Sequence, residues 1–354
     1  MARALSVYMG REAAKRISVE GWSADLFRLL LGASGGPKWF ILDHLDRFLF
    51  SDFLQRSNRP LSVLGSSIGA WRHACLAMPD PVAAIDQLQQ GYLYQRYSSK
   101  PTPEEVSAVS RKILEAIMGE NGGAHLLSHP RIQTHVVTAR GRGFAASSST
   151  PALVAGLGAA ALNNTLSRQR LQSHFQRVVF HSGSPPDPGL SLQDFQTSYC
   201  ELSEHNILQT LHASGAIPLV LAGEQNIPGA PTGQYWDGGI IDYHFDLSQY
   251  RGEGLILYPH FSPSVIPGWF DKFLPRRKTA IREVEKLVLL CPSAEFTANL
   301  PLGKIPDRSD FKRLGEEERI NYWEQCVQRS RALAEEFVAL LESSDPLAGV
   351  AVFD

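Results

Sequence analysis

Residues 61–69, LSVLGSSIG, constrain the fold of this chain more than any other stretch. The apolar run Leu61–Leu64 reads as a buried strand, and Gly65–Gly69 is its exit turn into a helix over Ala70–Met78. A strand that passes directly into a helix belongs to a parallel sheet, because the helix carries the chain back across one face. The same grammar stands upstream. Ala24–Leu31 ends at Gly32, and Gly32-Ala33-Ser34-Gly35-Gly36 can only turn. Pro37 suits a first helical position, where its missing N–H costs nothing. Trp39, Phe40, Leu42, Leu45, Phe48 and Leu49 then follow at helical spacing.

Further strands are predicted at Ile132–Thr138, Arg177–His181, Tyr235–Ile241 and Leu255–Tyr258. Helices are predicted over Pro81–Leu127 (interrupted by Pro101 and Pro103), Ala152–Phe175, Asn206–His212 and Arg313–Glu342. This alternation predicts an α/β layered fold with a mainly parallel sheet. Pro263–Pro275 is the best boundary, dividing a core of residues 1–262 from a mostly helical segment, 263–354, packed on that core.

Charge narrows the partners. Lys and Arg total 34 against 36 Asp and Glu, a net −2, which gives no electrostatic reason for nucleic acid binding. No apolar run approaches the roughly 18–20 residues that span a bilayer. The N-terminal stretch carries Arg3, Arg11, Glu12, Lys15 and Arg16 and does not read as a secretory signal. Cys75, Cys200, Cys291 and Cys326 lie far apart, which predicts a reducing, cytoplasmic setting and no metal site; no cofactor is expected.

Gly65-Ser66-Ser67-Ile68-Gly69 fits G-x-S-x-G. Between strand and helix this pattern strains the serine and exposes its Oγ at the sheet edge, while flanking glycines avoid collisions with neighbouring backbone. Ile68 N–H and the helix N-terminus then favour a developing oxyanion. The glycine cluster Gly32–Lys38 lies one strand–helix unit earlier, so the N–H groups of Gly35 and Gly36 are expected on the same edge, facing Ser67. It is not a phosphate cradle: Pro37 stands where a Walker loop needs its second glycine, and Trp39 follows Lys38. For the base, Asp237-Gly238-Gly239 puts an acid at a strand end before a sharp turn, although an ordinary Asp-Gly turn has the same letters. The alternative is a histidine in a Ser–acid–His triad, with His260 best placed and His244 next. His73, in the helix behind the turn, reads as packed or solvated.

Four segments in this order resemble the patatin-like phospholipases: the glycine-rich loop ending in Lys38, G-x-S-x-G at Gly65–Gly69, Ser214-Gly215-Ala216-Ile217-Pro218, and Asp237-Gly238-Gly239. The resemblance covers about Ala24 to Asp242. It implies a three-layer α/β/α fold and a Ser67–Asp237 dyad without histidine, with an oxyanion hole at Gly35, Gly36 and Ile68. It also implies hydrolysis of a lipid or other acyl ester. Transfer of the acyl group to an alcohol would use the same acyl-enzyme, and a non-catalytic lipid-binding or regulatory protein retaining the fold is the other alternative. Two departures stand out. Ser34 replaces a glycine, though its N–H remains a donor, and Trp39 replaces a small residue and is expected to close or redirect the acyl pocket.

Outside these motifs, Pro267–Lys278 joins Trp269, Phe270 and Phe273 to Arg276, Arg277 and Lys278. It reads first as a buried aromatic anchor with a solvated basic end, and second as a peripheral membrane contact. Arg140-Gly141-Arg142 reads as a solvated loop or a lipid-phosphate contact. Pro81–Leu127 is a candidate lid.

Overall fold

The computed structural model of the protein describes residues 3–183, 192–245, 250–277 and 284–353. Strands β1 (Leu5–Met9), β2 (Phe27–Gly32), β3 (Leu61–Ser66), β4 (Ile132–Gly141), β5 (Phe175–His181) and β6 (Thr197–Glu201) are followed by β7 (Glu224–Gln225), β8 (Gln234–Asp237), β9 (Leu255–Pro259), β10 (Leu287–Pro292) and β11 (Val350–Val352). They form one sheet in the order β11-β1-β10-β9-β2-β3-β4-β5-β6, with β8 on β4 and β7 on β8. The pairs β10–β9–β2–β3–β4 are all parallel, and helices cover both sides. Those central strands are buried at nearly every position, which is why FRLLLG, LSVLGS and LVLLCP are continuous apolar runs instead of alternating ones.

The helices are α1 (Arg11–Glu20), α2 (Asp43–Ser51), α3 (Ile68–Leu76), α4 (Pro81–Leu93), α5 (Pro103–Met118), α6 (Gly122–Ser128), α7 (Thr150–Leu166), α8 (Ile207–Gly215), α9 (Ala294–Ala298), α10 (Asp310–Arg313) and α11 (Glu316–Leu341). Prolines at the first turn and side-chain caps fix two starts: Asp80 accepts Ala83 N–H at 3.0 Å for α4, and Thr102 accepts Glu105 N–H at 3.2 Å for α5. The helix expected from Pro37 begins instead as a 3-10 turn, Gly36–Leu42, before α2. Residues 263–354, expected as a helical addition, hold α9, α10 and α11 and also supply β10, which enters the sheet between β1 and β9. Along α11, Tyr322, Val327, Leu333, Phe337 and Leu340 are buried, and Phe337 meets Phe53 and Phe48 edge-on. Among the described residues no helix is long and apolar enough to cross a membrane.

One junction positions everything that follows. β3 runs parallel to β4 until Ser66 lies opposite Val137. β8 then takes over the same edge of β4, antiparallel, with Asp237 opposite Thr138. The ends of β3 and β8 therefore meet head to head, and the residues at those ends are Ser67 and Asp237.

Candidate active site

Ser67 joins β3 to α3 with φ 56° and ψ −131°, a backbone conformation that L-residues rarely adopt and that persists only where the surroundings enforce it. The enforcement is visible in the glycines. A Cβ at Gly69 would stand 2.0 Å from the Gly32 carbonyl oxygen, and one at Gly65 would stand 2.6 Å from the Ala70 amide nitrogen. Gly32 and Gly65 are opposite each other in the β2–β3 ladder, so α3 presses onto two strands at points where no side chain intervenes. Gly69→Ala should lower stability by about 1–3 kcal/mol, since backbone and not a flexible side chain must move. Urea unfolding followed by circular dichroism measures this.

The Ser67 Oγ–H donates to Asp237 Oδ2 at 2.9 Å. The other carboxylate oxygen, Oδ1, accepts Gly239 N–H at 2.7 Å, which fixes the rotation of the group. Gly238 and Gly239 are small by necessity: a Cβ would meet the Val137 carbonyl oxygen at 2.2 Å or Ser34 Oγ at 2.6 Å. The segment at Ser214 fastens both partners. Ser214 Oγ accepts Ser67 N–H at 2.9 Å and donates to the Val137 carbonyl at 2.7 Å, and Asp237 N–H donates to the Ala216 carbonyl at 2.8 Å. Burial pushes the Asp237 carboxyl up to about 6, against the charge-stabilising effects of Gly239 N–H, Arg308, Ser67 and Lys272.

Gly35 and Gly36 line the same narrow pocket as Ser67 and Asp237. Their N–H groups, like that of Ile68, belong to the first turn of a helix, where no intrahelical acceptor exists. Gly36 has φ +56°, which favours glycine. Ser34 differs from expectation. Its N–H is committed to the Tyr243 carbonyl at 2.9 Å, while its Oγ donates to Ser66 Oγ at 3.0 Å, so it braces the loop and has no amide left to offer. Trp39 does not reach the pocket at all. It is buried in the core beside Phe40, with ring centroids 5.0 Å apart. Lys38 points away too, with Nζ 5.0 Å above the Phe261 ring.

The histidine alternatives are not brought to Ser67. His260 is fully buried among Tyr258, His244 and Phe261, its Nδ1 accepts Ser262 N–H at 3.0 Å, and burial pushes it down to about 3. His244 Nδ1 accepts Ile266 N–H at 3.0 Å, and His73 is enclosed in α3. Neither His260, His244 nor His73 lines a cavity that contains Ser67. Among the described residues no cluster of His, Cys, Asp or Glu is arranged to hold a metal.

Two cavities open from Ser67. The narrow one, about 50 Å³, holds Asp237, Tyr243, Trp269, Lys272 and Arg308. The larger, about 910 Å³, is walled by Ile68, Trp71, Tyr92, Ile113 and Ile217 and by Phe311 and Leu314 from the C-terminal segment. Residues 81–127 contribute Tyr92 and Ile113 through α4 and α5. No sequence motif marks Arg308, Phe311 or Leu314; an aromatic and basic run ending before a helix is the signal they carry. In Pro267–Lys278, Trp269 and Lys272 line the pocket, Asp271 is buried, and Phe273 is 86% exposed; Lys278 lies outside the described residues. Arg140 and Arg142 are held locally, by the Thr232 and Gln172 carbonyls.

No family model matches the chain, and no curated protein does. Among solved structures, VipD from Legionella pneumophila aligns at 13% identity over 99% of this chain and 75% of that one, with a TM-score of 0.35. The ExoU–SpcU complex from the type III secretion system of Pseudomonas aeruginosa aligns at 16% over 90% and 52%, with a TM-score of 0.31. Human GIVD cytosolic phospholipase A2 aligns at 13% over 97% and 66%, with a TM-score of 0.32. Likenesses of this size say nothing of this chain's activity.

Proposed function

We propose that the chain is a serine acyl-ester hydrolase of patatin-like type, working with Ser67 and Asp237 as a dyad on a lipid or other acyl ester. The observation that carries this reading is the 2.9 Å hydrogen bond between a strained serine at the head of α3 and a buried carboxylate with a raised pKa. Ser67 Oγ attacks the ester carbonyl carbon as Asp237 Oδ2 takes its proton. The carbonyl oxygen becomes an oxyanion facing Gly35, Gly36 and Ile68 N–H, with the positive end of α3 behind it. Collapse expels the alkoxide, which receives the proton from Asp237. Water then attacks the acyl-enzyme with Asp237 again as base, releasing the carboxylic acid and restoring Ser67. The larger cavity, which opens beside Ser67 with Trp71, Ile113 and Ile217 on its wall, has the volume to take an acyl chain.

Hydrolysis of p-nitrophenyl esters of short and long acids tests the reading. Only ionised Asp237 accepts a proton, so kcat/KM should rise with pH through about 6 and level off above it. A profile that is flat between pH 5 and 7 would exclude Asp237 as the base. Turnover of neither ester would exclude hydrolysis of simple acyl esters.

A further inference from the structure

A helix at the surface of a soluble protein ordinarily keeps its outer face polar, and α7 does not. Over its 17 residues, TPALVAGLGAAALNNTL, there is no charged side chain. Leu153, Gly156, Ala160 and Asn164 are buried beneath it. On the other side Val154, Gly158, Leu162 and Leu166 form an exposed stripe at steps of four, with Leu162 67% and Leu166 63% exposed. Single exposed apolar residues are ordinary, but a stripe of them along one helix marks a contact surface. Residues 269–277 extend it. Asn164 Nδ2 donates to Asp271 at 2.7 Å, and Arg276 and Arg277 donate to the Thr165 and Asn164 carbonyls at 2.8 and 2.9 Å. This segment therefore packs at the C-terminal end of α7 and brings the exposed Phe273 there.

The charge around the stripe is one-sided. Between Glu120 and Asp187 the sequence has no Asp or Glu, yet it has six arginines. Arg168 and Arg177 are used inside the fold, on Asp271 and Asp242. Arg142 leads into the turn Gly143–Ala146, which lies against Gly156 of α7, and Arg170 follows the end of the helix. Among the described residues, Arg142, Arg170, Arg276 and Arg277 have no carboxylate at ion-pair distance. Exposed arginines elsewhere do find one: Arg56 meets Asp52 at 2.5 Å, and Arg111 meets Glu224 at 2.6 Å.

We infer that the outer face of α7, together with Phe273, docks on a lipid bilayer that carries anionic headgroups. The stripe enters the boundary between headgroups and acyl chains, and Arg142, Arg170 and Arg276 meet the headgroup phosphates. A second copy of the chain fits this rim poorly, because it would bring the same arginines and the same acid-free tract. At about 25 Å long and packed along one side, α7 lies on the surface and does not cross it. Trp269 and Lys272, in the segment that carries Phe273, line the narrow pocket, so docking here sets that pocket beside the lipid. The surface stands independently of the hydrolase reading.

Co-sedimentation with vesicles tests it, using the full chain with Ser67→Ala so that lipid stays intact. Vesicles of equal parts phosphatidylcholine and phosphatidylglycerol should bind the protein by about tenfold or more over phosphatidylcholine alone. Leu162→Glu combined with Phe273→Glu should weaken that binding by about tenfold or more. Arg142→Gln, Arg170→Gln and Arg276→Gln should each weaken it by about fivefold, and only on the anionic vesicles. Val19→Glu, at an exposed valine of α1, should bind like the parent. No binding to the anionic vesicles, or binding undiminished by the paired Glu exchanges, overturns the docking face. So does a dimer in sedimentation velocity that Leu162→Glu dissociates, which would assign the stripe to a second copy. Vesicle binding that follows these variants, in a chain whose wild type cleaves no ester, sustains the face and overturns the hydrolase. Turnover of p-nitrophenyl esters without vesicle binding does the reverse.

Discussion

Ser67→Ala is expected to lower ester turnover by about 10⁴-fold or more, since the proposed mechanism runs through its hydroxyl. Asp237→Asn should lower it by about 10²- to 10⁴-fold, the range for a positioned general base. His260→Ala should leave the pH dependence near 6 in place, because His260 is directed at Ser262 and away from Ser67. The asparagine variant carries a second expectation of opposite sign. The Asp237 carboxyl has a folded pKa of about 6, raised above its ordinary 3.8 by burial. A raised acid contributes stability that is fully present below the unfolded pKa and lost as pH rises through the folded one. At pH 7 the buried charge thus costs up to about 3 kcal/mol, at 1.36 kcal/mol per pK unit. Asp237→Asn should therefore melt higher than wild type at pH 7, with the gain shrinking as pH falls from 6 toward 4. A variant that is less active and more stable marks a residue kept for chemistry. An inactive variant that is also less stable would make Asp237 a structural acid.

Arg72→Met is expected to cost about 3–5 kcal/mol, the largest stability loss that a single exchange behind the site should produce. Arg72, on α3, gives two hydrogen bonds of 2.6 Å to Asp46 on α2, and both side chains are buried. The pair ties the helix behind the nucleophile to the helix that follows the glycine loop. Removing the cation leaves Asp46, whose carboxyl burial already pushes upward, with no compensation but a proton. The variant should accordingly lose stability as pH rises. Arg72→Met combined with Asp46→Leu should recover much of the loss, because apolar replacement of a whole buried pair is often neutral. Chemical denaturation of the four proteins of this cycle, at pH 5 and pH 8, measures both statements.

The parts of the site that could be read from sequence are those where chemistry forbids alternatives. At Gly65, Gly69, Gly238 and Gly239 any side chain would collide with backbone or with a side chain of the site, so their spacing announces the turn that each acid or nucleophile occupies. Asp237 and Ser67 are joined by the exchange of β3 for β8 on one edge of β4, and strand runs of LSVL and QYWD are compatible with that pairing without specifying it. Ser34 and Trp39 differ from expectation because letters in a glycine loop do not say which groups of the loop meet the pocket. In the fold Ser34, Gly35 and Gly36 all line it, but Ser34 N–H turns to Tyr243, and Trp39 turns to the core. Lys272 and Arg308 were illegible as site residues because long flexible cations resemble solvated surface until the fold brings them to Asp237. β1, β10 and β11 were not anticipated: β11 has three residues, and β10, inserted between β1 and β9, finds its place only through neighbours distant in sequence.

If Ser67 is a nucleophile whose proton goes to Asp237, its reaction with an electrophile depends on that carboxylate. Mass spectrometry of the protein after reaction with a fluorophosphonate, at pH 5 and pH 7.5, tests it most directly. One adduct is expected, on the peptide containing Ser67, formed faster at the higher pH, absent in Ser67→Ala and strongly slowed in Asp237→Asn. No adduct in the wild type, or labelling of Ser67 at an undiminished rate in Asp237→Asn, would contradict it.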